Sequence, residues 1–191
     1  MKGGVPIKIS TIVAEIDVNK KELYKEVNGE KFYRFPITLD VGTLDAVISE
    51  YLLKGISNRV LLSGYLRSDN LKEPKEHLYT YFNCTDLKPA GENDNKHEIH
   101  VHGRITKCGR LSCRRDGKQL LPIVVRCKTA DGHTSIIHAI LFDKNARLVY
   151  SFDDVREVSI AASGRINLRY GAIEVHIDEA EIFRKEDTNN A

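Results

Sequence analysis

Tryptophan is absent from these 191 residues, methionine occurs once, and no apolar run nears the length of a membrane span. A helical span needs about 20 consecutive apolar residues. The opening MKGGVPIKIS also lacks the apolar stretch of a secretory leader. The chain is therefore expected to be soluble, intracellular and cytoplasmic, with no membrane contact. Its four cysteines, Cys84, Cys108, Cys113 and Cys127, show no close pairing of a disulfide scaffold and are expected to be reduced. Cys108-x4-Cys113 followed by one further cysteine matches no standard zinc spacing, so no metal is expected. His100 and His102 share a strand face with no third ligand in view. There is no Gly-x4-Gly-Lys-Ser/Thr, no His-Glu-x2-His and no nucleophile elbow. No catalytic residue and no cofactor is assigned, and the chain is not expected to be an enzyme.

Net charge is also scarce, at +2, but its distribution is uneven. Between 96 and 128 stand nine bases: Lys96, Arg104, Lys107, Arg110, Arg114, Arg115, Lys118, Arg126 and Lys128. Only Glu98 and Asp116 oppose them, a local excess of seven. From 143 to 191 ten acids face seven bases. A basic face on an otherwise balanced chain points to a polyanionic partner.

What the chain has in abundance is short β-prone runs. They are Ile7 to Ile16, Phe32 to Leu39, Arg59 to Leu66, His77 to Leu87, Ile99 to Thr106, Leu120 to Cys127, Ser135 to Phe142, Glu157 to Leu168 and Ala172 to Phe183. Two short stretches, Ser49 to Gly55 and Asp143 to Tyr150, read as helices. Residues 90–95, inside a Pro/Gly/Asn/Asp-rich stretch, read as a linker between domains at 1–89 and 96–186.

The halves align element by element. Asn28-Gly29 ahead of Phe32 to Ile37 echoes Asp116-Gly117 ahead of Leu120 to Val124, and each pair suits a tight hairpin. Asp45 to Tyr51 echoes His138 to Lys144, a strand running into a short helix. Val60 to Leu66 echoes Ile160 to Ile166, with Gly64 and Gly164 marking a bulge or sharp coil in mid-strand. Three strands, a short helix and two strands, given twice in about 90 residues each, is the order of the five-stranded oligonucleotide-binding (OB) barrel. The fold class is thus all-β with short helices, as two tandem OB barrels. An immunoglobulin-like sandwich wants more strands and no helix after the third.

The second half resembles the bacterial and phage single-stranded DNA-binding protein family. The resemblance rests on Val101-His-Gly-Arg-Ile-Thr-Lys107, the strand from Leu121 to Cys127, His138-Ala-Ile-Leu-Phe-Asp-Lys-Asn-Ala146, and Ala161-Ala-Ser-Gly-Arg-Ile-Asn-Leu-Arg-Tyr170. It covers about residues 97–184, while the first half shares the architecture and little of the motif. Two departures stand out: Ile136 occupies the place of a family tryptophan, and the C-terminal Arg184 to Ala191 lacks the family's acidic tail. The resemblance implies a sequence-nonspecific binder of single-stranded DNA, with RNA open, acting in replication, recombination or repair and associated with the nucleoid. The departures suit a phage, mobile-element or accessory protein. The alternatives are a primosome-type accessory protein and an OB-fold adaptor between proteins, which would not need the basic cluster. Four barrels assemble in the family, so two per chain imply a homodimer.

A sequence-tolerant binder of single strands needs a positive groove and ring faces on which bases stack. The expected contacts are Arg104, Lys107, Arg110, Arg114, Arg115, Lys118, Arg126 and Lys128, extended by Lys144 and Arg169. Phe142, at the family's conserved Phe, and Tyr170 are the candidate stacking rings. In the first half Ser49 stands at the place of Phe142, and its hairpin mixes Glu22, Glu26 and Glu30 with lysines. Tyr33, Arg34, Tyr65 and Arg67 are its weaker candidates, and that barrel is expected to serve mainly in assembly.

Overall fold

The computed structural model describes residues 8–56, 58–71, 77–94, 97–129, 131–169 and 172–184. The chain separates into two compact units, the first Ile9–Ile99 and the second containing the described residues from His100 onward. The division falls close to the start of the strand His97–Cys108.

The first unit runs β1 (Ser10–Ile16), β2 (Glu22–Val27), β3 (Glu30–Leu39), β4 (Gly42–Ser49), a 3-10 turn (Glu50–Leu53), β5 (Arg59–Leu71) and β6 (His77–Pro89). Neighbouring strands follow the order β2-β3-β4-β6-β5-β1, and β1 closes the barrel on β3. The pairings are antiparallel except β4 with β6, which are parallel. Alternation along each strand sends Ile12, Phe35, Ile37, Ile48, Leu62 and Phe82 into the core, each at 2% exposure or less.

The second unit repeats the plan: β7 (His97–Cys108), the short β8 (Ser112–Cys113), β9 (Gln119–Lys128), β10 (Thr134–Phe142), α1 (Asp143–Tyr150), β11 (Val158–Arg169) and β12 (Ala172–Arg184). Its order is β7-β11-β12-β10-β9-β8, closed by β7 on β9, again with one parallel pair, β10 with β12. Ile105, Leu121, Val125, Leu141, Ile160 and Val175 are its innermost side chains. Helix α1 buries Ala146 and Val149, three residues apart, against β9 and β10. Each unit is a closed five-stranded barrel with a helical turn after its third long strand, as the order of elements in the sequence predicts.

Two local features confirm the mechanism behind that order. Asn28 (φ 52°) and Gly29 (φ 82°) both take positive φ, the two-residue hairpin conformation that Asn-Gly favours. A Cβ on Gly64 would lie 2.0 Å from the Asn83 carbonyl oxygen, and one on Gly164 2.1 Å from that of His176. Both glycines sit where the register slips, so they let β5 and β11 coil tightly onto their partners. The helix predicted over Ser49 to Gly55 is shorter: β4 continues to Ser49, whose Oγ caps a single 3-10 turn by accepting from the Tyr51 amide at 3.1 Å. Strand β2 lies outside the expected strands, because its Glu22, Lys25 and Glu26 break the apolar alternation.

Candidate nucleic-acid interface

On the second barrel the strand alternation that buries Ile105, Val125 and Cys127 turns Arg104, Arg126 and Lys128 outward. Register then sets Arg104 directly across from Arg126, Arg126 across from Ile136 on β10, and Lys128 across from Thr134. Among the described residues no carboxylate pairs with Arg104, Arg126 or Lys128. Like charges directly opposite on neighbouring strands are destabilising, so this pairing is retained against a cost.

From β7 the chain passes through β8 into the 114–118 turn, which leaves Lys107, Arg110, Arg114, Arg115 and Lys118 exposed. The turn is closed by the Arg114 amide donating to the Lys118 carbonyl at 2.8 Å, with Gly117 at φ 84°. Asp116 is the turn's one acid. Its carboxylate accepts from the Lys118 amide at 3.1 Å and lies 3.8 Å from the Arg114 guanidinium, with both side chains half in solvent. Such an exposed pair neutralises little. At the base of the hairpin the Gln119 amide donates to Asp143 Oδ1 at 2.9 Å, which brings the first turn of α1, and exposed Lys144, beside it.

Phe142 ends β10 half-buried, paired in register with Leu120. Its ring meets His176 of β12 edge-on, centroids 5.4 Å apart at 73°. Residue alternation places His176 on the outer face with Glu174 and Asp178, while Val175 and Ile177 face the core. Arg165 of β11 stands opposite His176 and makes two hydrogen bonds to Asp178, at 3.0 and 3.1 Å. Burial lowers the His176 pKa from its ordinary value, and the charges of Arg114 and Arg165 act the same way, against Glu174 and Asp178. His176, Arg165 and Glu174 were not candidates from the sequence. They reach this face only because β12 lies beside β10 across the parallel pair. Tyr170 and the side chain of Arg169 fall outside the described residues.

The first barrel's weaker candidates are differently placed. Tyr33 is half-buried, with the Lys21 ammonium 4.8 Å from its ring centroid and its hydroxyl donating to Glu50 at 3.4 Å. Arg34 is bound to Glu22. Tyr65 is half-buried opposite Asn83. Arg67 is a correction: at 7% exposure it is packed into β5 beside Tyr81 and is not presented to a ligand. Around it Tyr24 and Tyr81 donate to Asp69 at 2.7 and 3.0 Å, and Tyr79 to Asp45 at 2.6 Å. The rings of Tyr79 and Tyr81 stack at 5.4 Å. Cys84 and Cys127 are buried and Cys108 and Cys113 exposed. No cluster of three metal-ligating side chains occurs among the described residues.

No protein-family model and no curated protein sequence matches the chain. Solved structures do. The wild-type single-stranded DNA binding protein from Thermus aquaticus superposes with a TM-score of 0.70 at 9% identity, covering 91% of each chain. A deletion mutant of the same Thermus protein gives 0.71 at 9% identity, over 91% of this chain and 92% of that one. The N-terminal domain of PriB protein from Thermoanaerobacter tencongensis is 27% identical, with a TM-score of 0.35, over 44% of this chain and 97% of its own. The likeness to the Thermus structures extends over nearly the whole chain and establishes the tandem OB-barrel fold.

Proposed function

We propose that this chain binds single-stranded DNA without sequence specificity and without catalysis, in replication, recombination or repair. The observation that carries the reading is the facing pair Arg104 and Arg126, with Lys128 beside them and no carboxylate among the described residues to neutralise any of the three. Cationic pairs kept at a cost to the sheet are explained by an anionic ligand that bridges them. Phosphates supply that charge, and the Phe142–His176 pair supplies an aromatic surface on β10 and β12 of the same barrel. The similar Thermus proteins are by name single-stranded DNA binding proteins, which favours DNA as the polyanion. An adaptor between proteins would leave the facing arginines unexplained.

The second barrel is the binding unit and the first serves chiefly in assembly. Two barrels per chain are completed as a homodimer. In the first barrel β2 ends the sheet and exposes Leu23 at 58% and Val27 at 46%, apolar surface suited to a subunit contact. No described helix is long and apolar enough to cross a membrane, and a nucleoid-associated location follows from the ligand.

Fluorescence anisotropy with labelled oligo-dT and the matching duplex, across a salt series, tests the reading. Oligo-dT is expected to bind tightly, to weaken linearly in log salt and to outcompete duplex. Absence of binding to either form at low salt refutes it. Light scattering that gives the monomer mass at micromolar concentration refutes the homodimer.

A further inference from the structure

Glu174 is an acid in the wrong place for a surface that only tracks phosphates. It lies on the outer face of β12, two residues from His176, and its side chain is only 21% exposed. One carboxylate oxygen, Oε2, is fully buried and has no hydrogen-bond partner among the described residues. His176 Nε2 stands 3.9 Å away, beyond hydrogen-bond length. Burial lowers the imidazole pKa from its ordinary value against the opposing charge of Glu174, with Arg114 and Arg165 acting in the same direction as burial. A buried carboxylate oxygen without a donor is costly, and an unsatisfied group of this kind needs a partner.

Its surroundings state what that partner should look like. Phe142 packs against the neighbouring His176, its ring 5.4 Å from the imidazole. Asn167 pairs across with Glu174 and Arg165 with His176. A ring face, a desolvated anionic acceptor and a guanidinium at one short interval are the groups that meet a nucleobase, its edge and its phosphate. A carboxylate can accept from the amino group of cytosine or adenine and from nothing at the corresponding position of thymine or uracil.

We infer that Glu174, beside Phe142 and His176, biases this subsite toward bases with an exocyclic amino group, cytosine over uracil among the pyrimidines. The inference rests on the single-strand reading above and adds a preference at one subsite to an otherwise sequence-tolerant track. Glu174 is a specificity-determining contact here, and Arg165, held by Asp178, positions the backbone.

Homopolymers of deoxycytidine and deoxyuridine, equal in length, phosphate count and salt, isolate the amino group. Competition against a labelled oligo-dT by anisotropy is expected to show the cytosine tract binding about tenfold tighter, the factor a hydrogen bond to a charged acceptor carries. Glu174→Gln offers an amide donor as well as an acceptor and should bring the ratio close to one, or invert it. Glu181→Gln, an equal charge change at an exposed position of the same strand, should leave it unchanged. Equal binding of the two tracts by the unaltered protein overturns the inference even where binding is tight. So does a cytosine preference that survives Glu174→Gln in a folded variant. Failure of both tracts to bind overturns it together with the reading on which it rests.

Discussion

Replacing Arg104 and Arg126 by Gln separates a binding role from a structural one, because the two roles predict opposite signs. The two guanidinium groups face each other across β7 and β9 with no acid among the described residues to bridge them. Removing both relieves a repulsion worth roughly 0.2–1 kcal/mol, so the thermal midpoint should hold or rise by a few degrees. Binding should move the other way. Each phosphate contact on a single strand contributes about 0.7 to the slope of log affinity against log salt. The exposed cations Arg104, Lys107, Arg110, Arg114, Arg115, Lys118, Arg126, Lys128 and Lys144 together give a slope of about −6.3 if each meets one phosphate. Loss of two brings the slope to about −4.9. Between about 50 and 200 mM salt the unaltered protein would then lose about 6,000-fold in affinity, and the variant about 900-fold. Oligo-dT titrations at several salt concentrations read the slope directly. A fall in affinity with no change in slope means that the pair does not meet phosphates. A midpoint lowered by more than about 5 °C means that the arginines hold the sheet, and either result refutes the argument.

Phe142→Ala should weaken oligo-dT binding by about 1–3 kcal/mol and leave the salt slope unchanged, because stacking releases no counterions. In native protein at mildly alkaline pH, a thiol reagent should modify Cys108 and Cys113 promptly. Cys84 and Cys127, whose thiols burial pushes up to about 12, should react only after denaturation, giving two fast thiols and two slow. Burial, then hydrogen bonds to Asp69 and Asp45, raises the hydroxyl pKa of Tyr24 and Tyr79; for Tyr81 burial and the charge of Asp69 bring it to about 12. These groups favour the folded state fully below the ordinary tyrosine pKa of about 10 and lose that contribution as pH rises through their raised folded-state values. Ultraviolet absorbance of tyrosinate should therefore show three of the eight tyrosines ionising only with alkaline unfolding of the first barrel.

The architecture was legible because the signals that carry it are local. Alternation of two marks the strands, Asn28-Gly29 makes its own hairpin, and Gly64 and Gly164 stand where the backbone of a neighbour leaves no room for a Cβ. The basic residues of β7, β9 and the hairpin were also legible, as one run of sequence. Glu174, His176 and Arg165 were not. They join Phe142 only through the parallel pairing of β10 with β12, a long-range contact that no local pattern announces. Arg67 misled for the complementary reason. Basic residues on strands ordinarily point to water, and only the tyrosine and aspartate network around β5 and β6 explains a guanidinium at 7% exposure.

That network also accounts for the inequality of two barrels with one plan. Taking Ser49 and Phe142 as equivalent ends of β4 and β10, register places Thr38 and Thr43 where the second barrel has Arg126 and Ile136. Asn83 then stands for His176, and Tyr65 for Arg165. Most of these exchanges remove a cation or a ring from the outer face. Ser49 is itself occupied, bound to Glu30 and capping the following turn. The aromatic surface the first barrel does have, Tyr24, Tyr79 and Tyr81, is turned to its own Asp45 and Asp69, and Arg34 to its own Glu22. A phosphate approaching this face meets carboxylates already holding the available donors, and a base meets rings already packed on one another. The second barrel leaves Arg104 and Arg126 without internal acids among the described residues, and that difference in partners, more than any difference in fold, is the ground for proposing the second barrel as the binding unit.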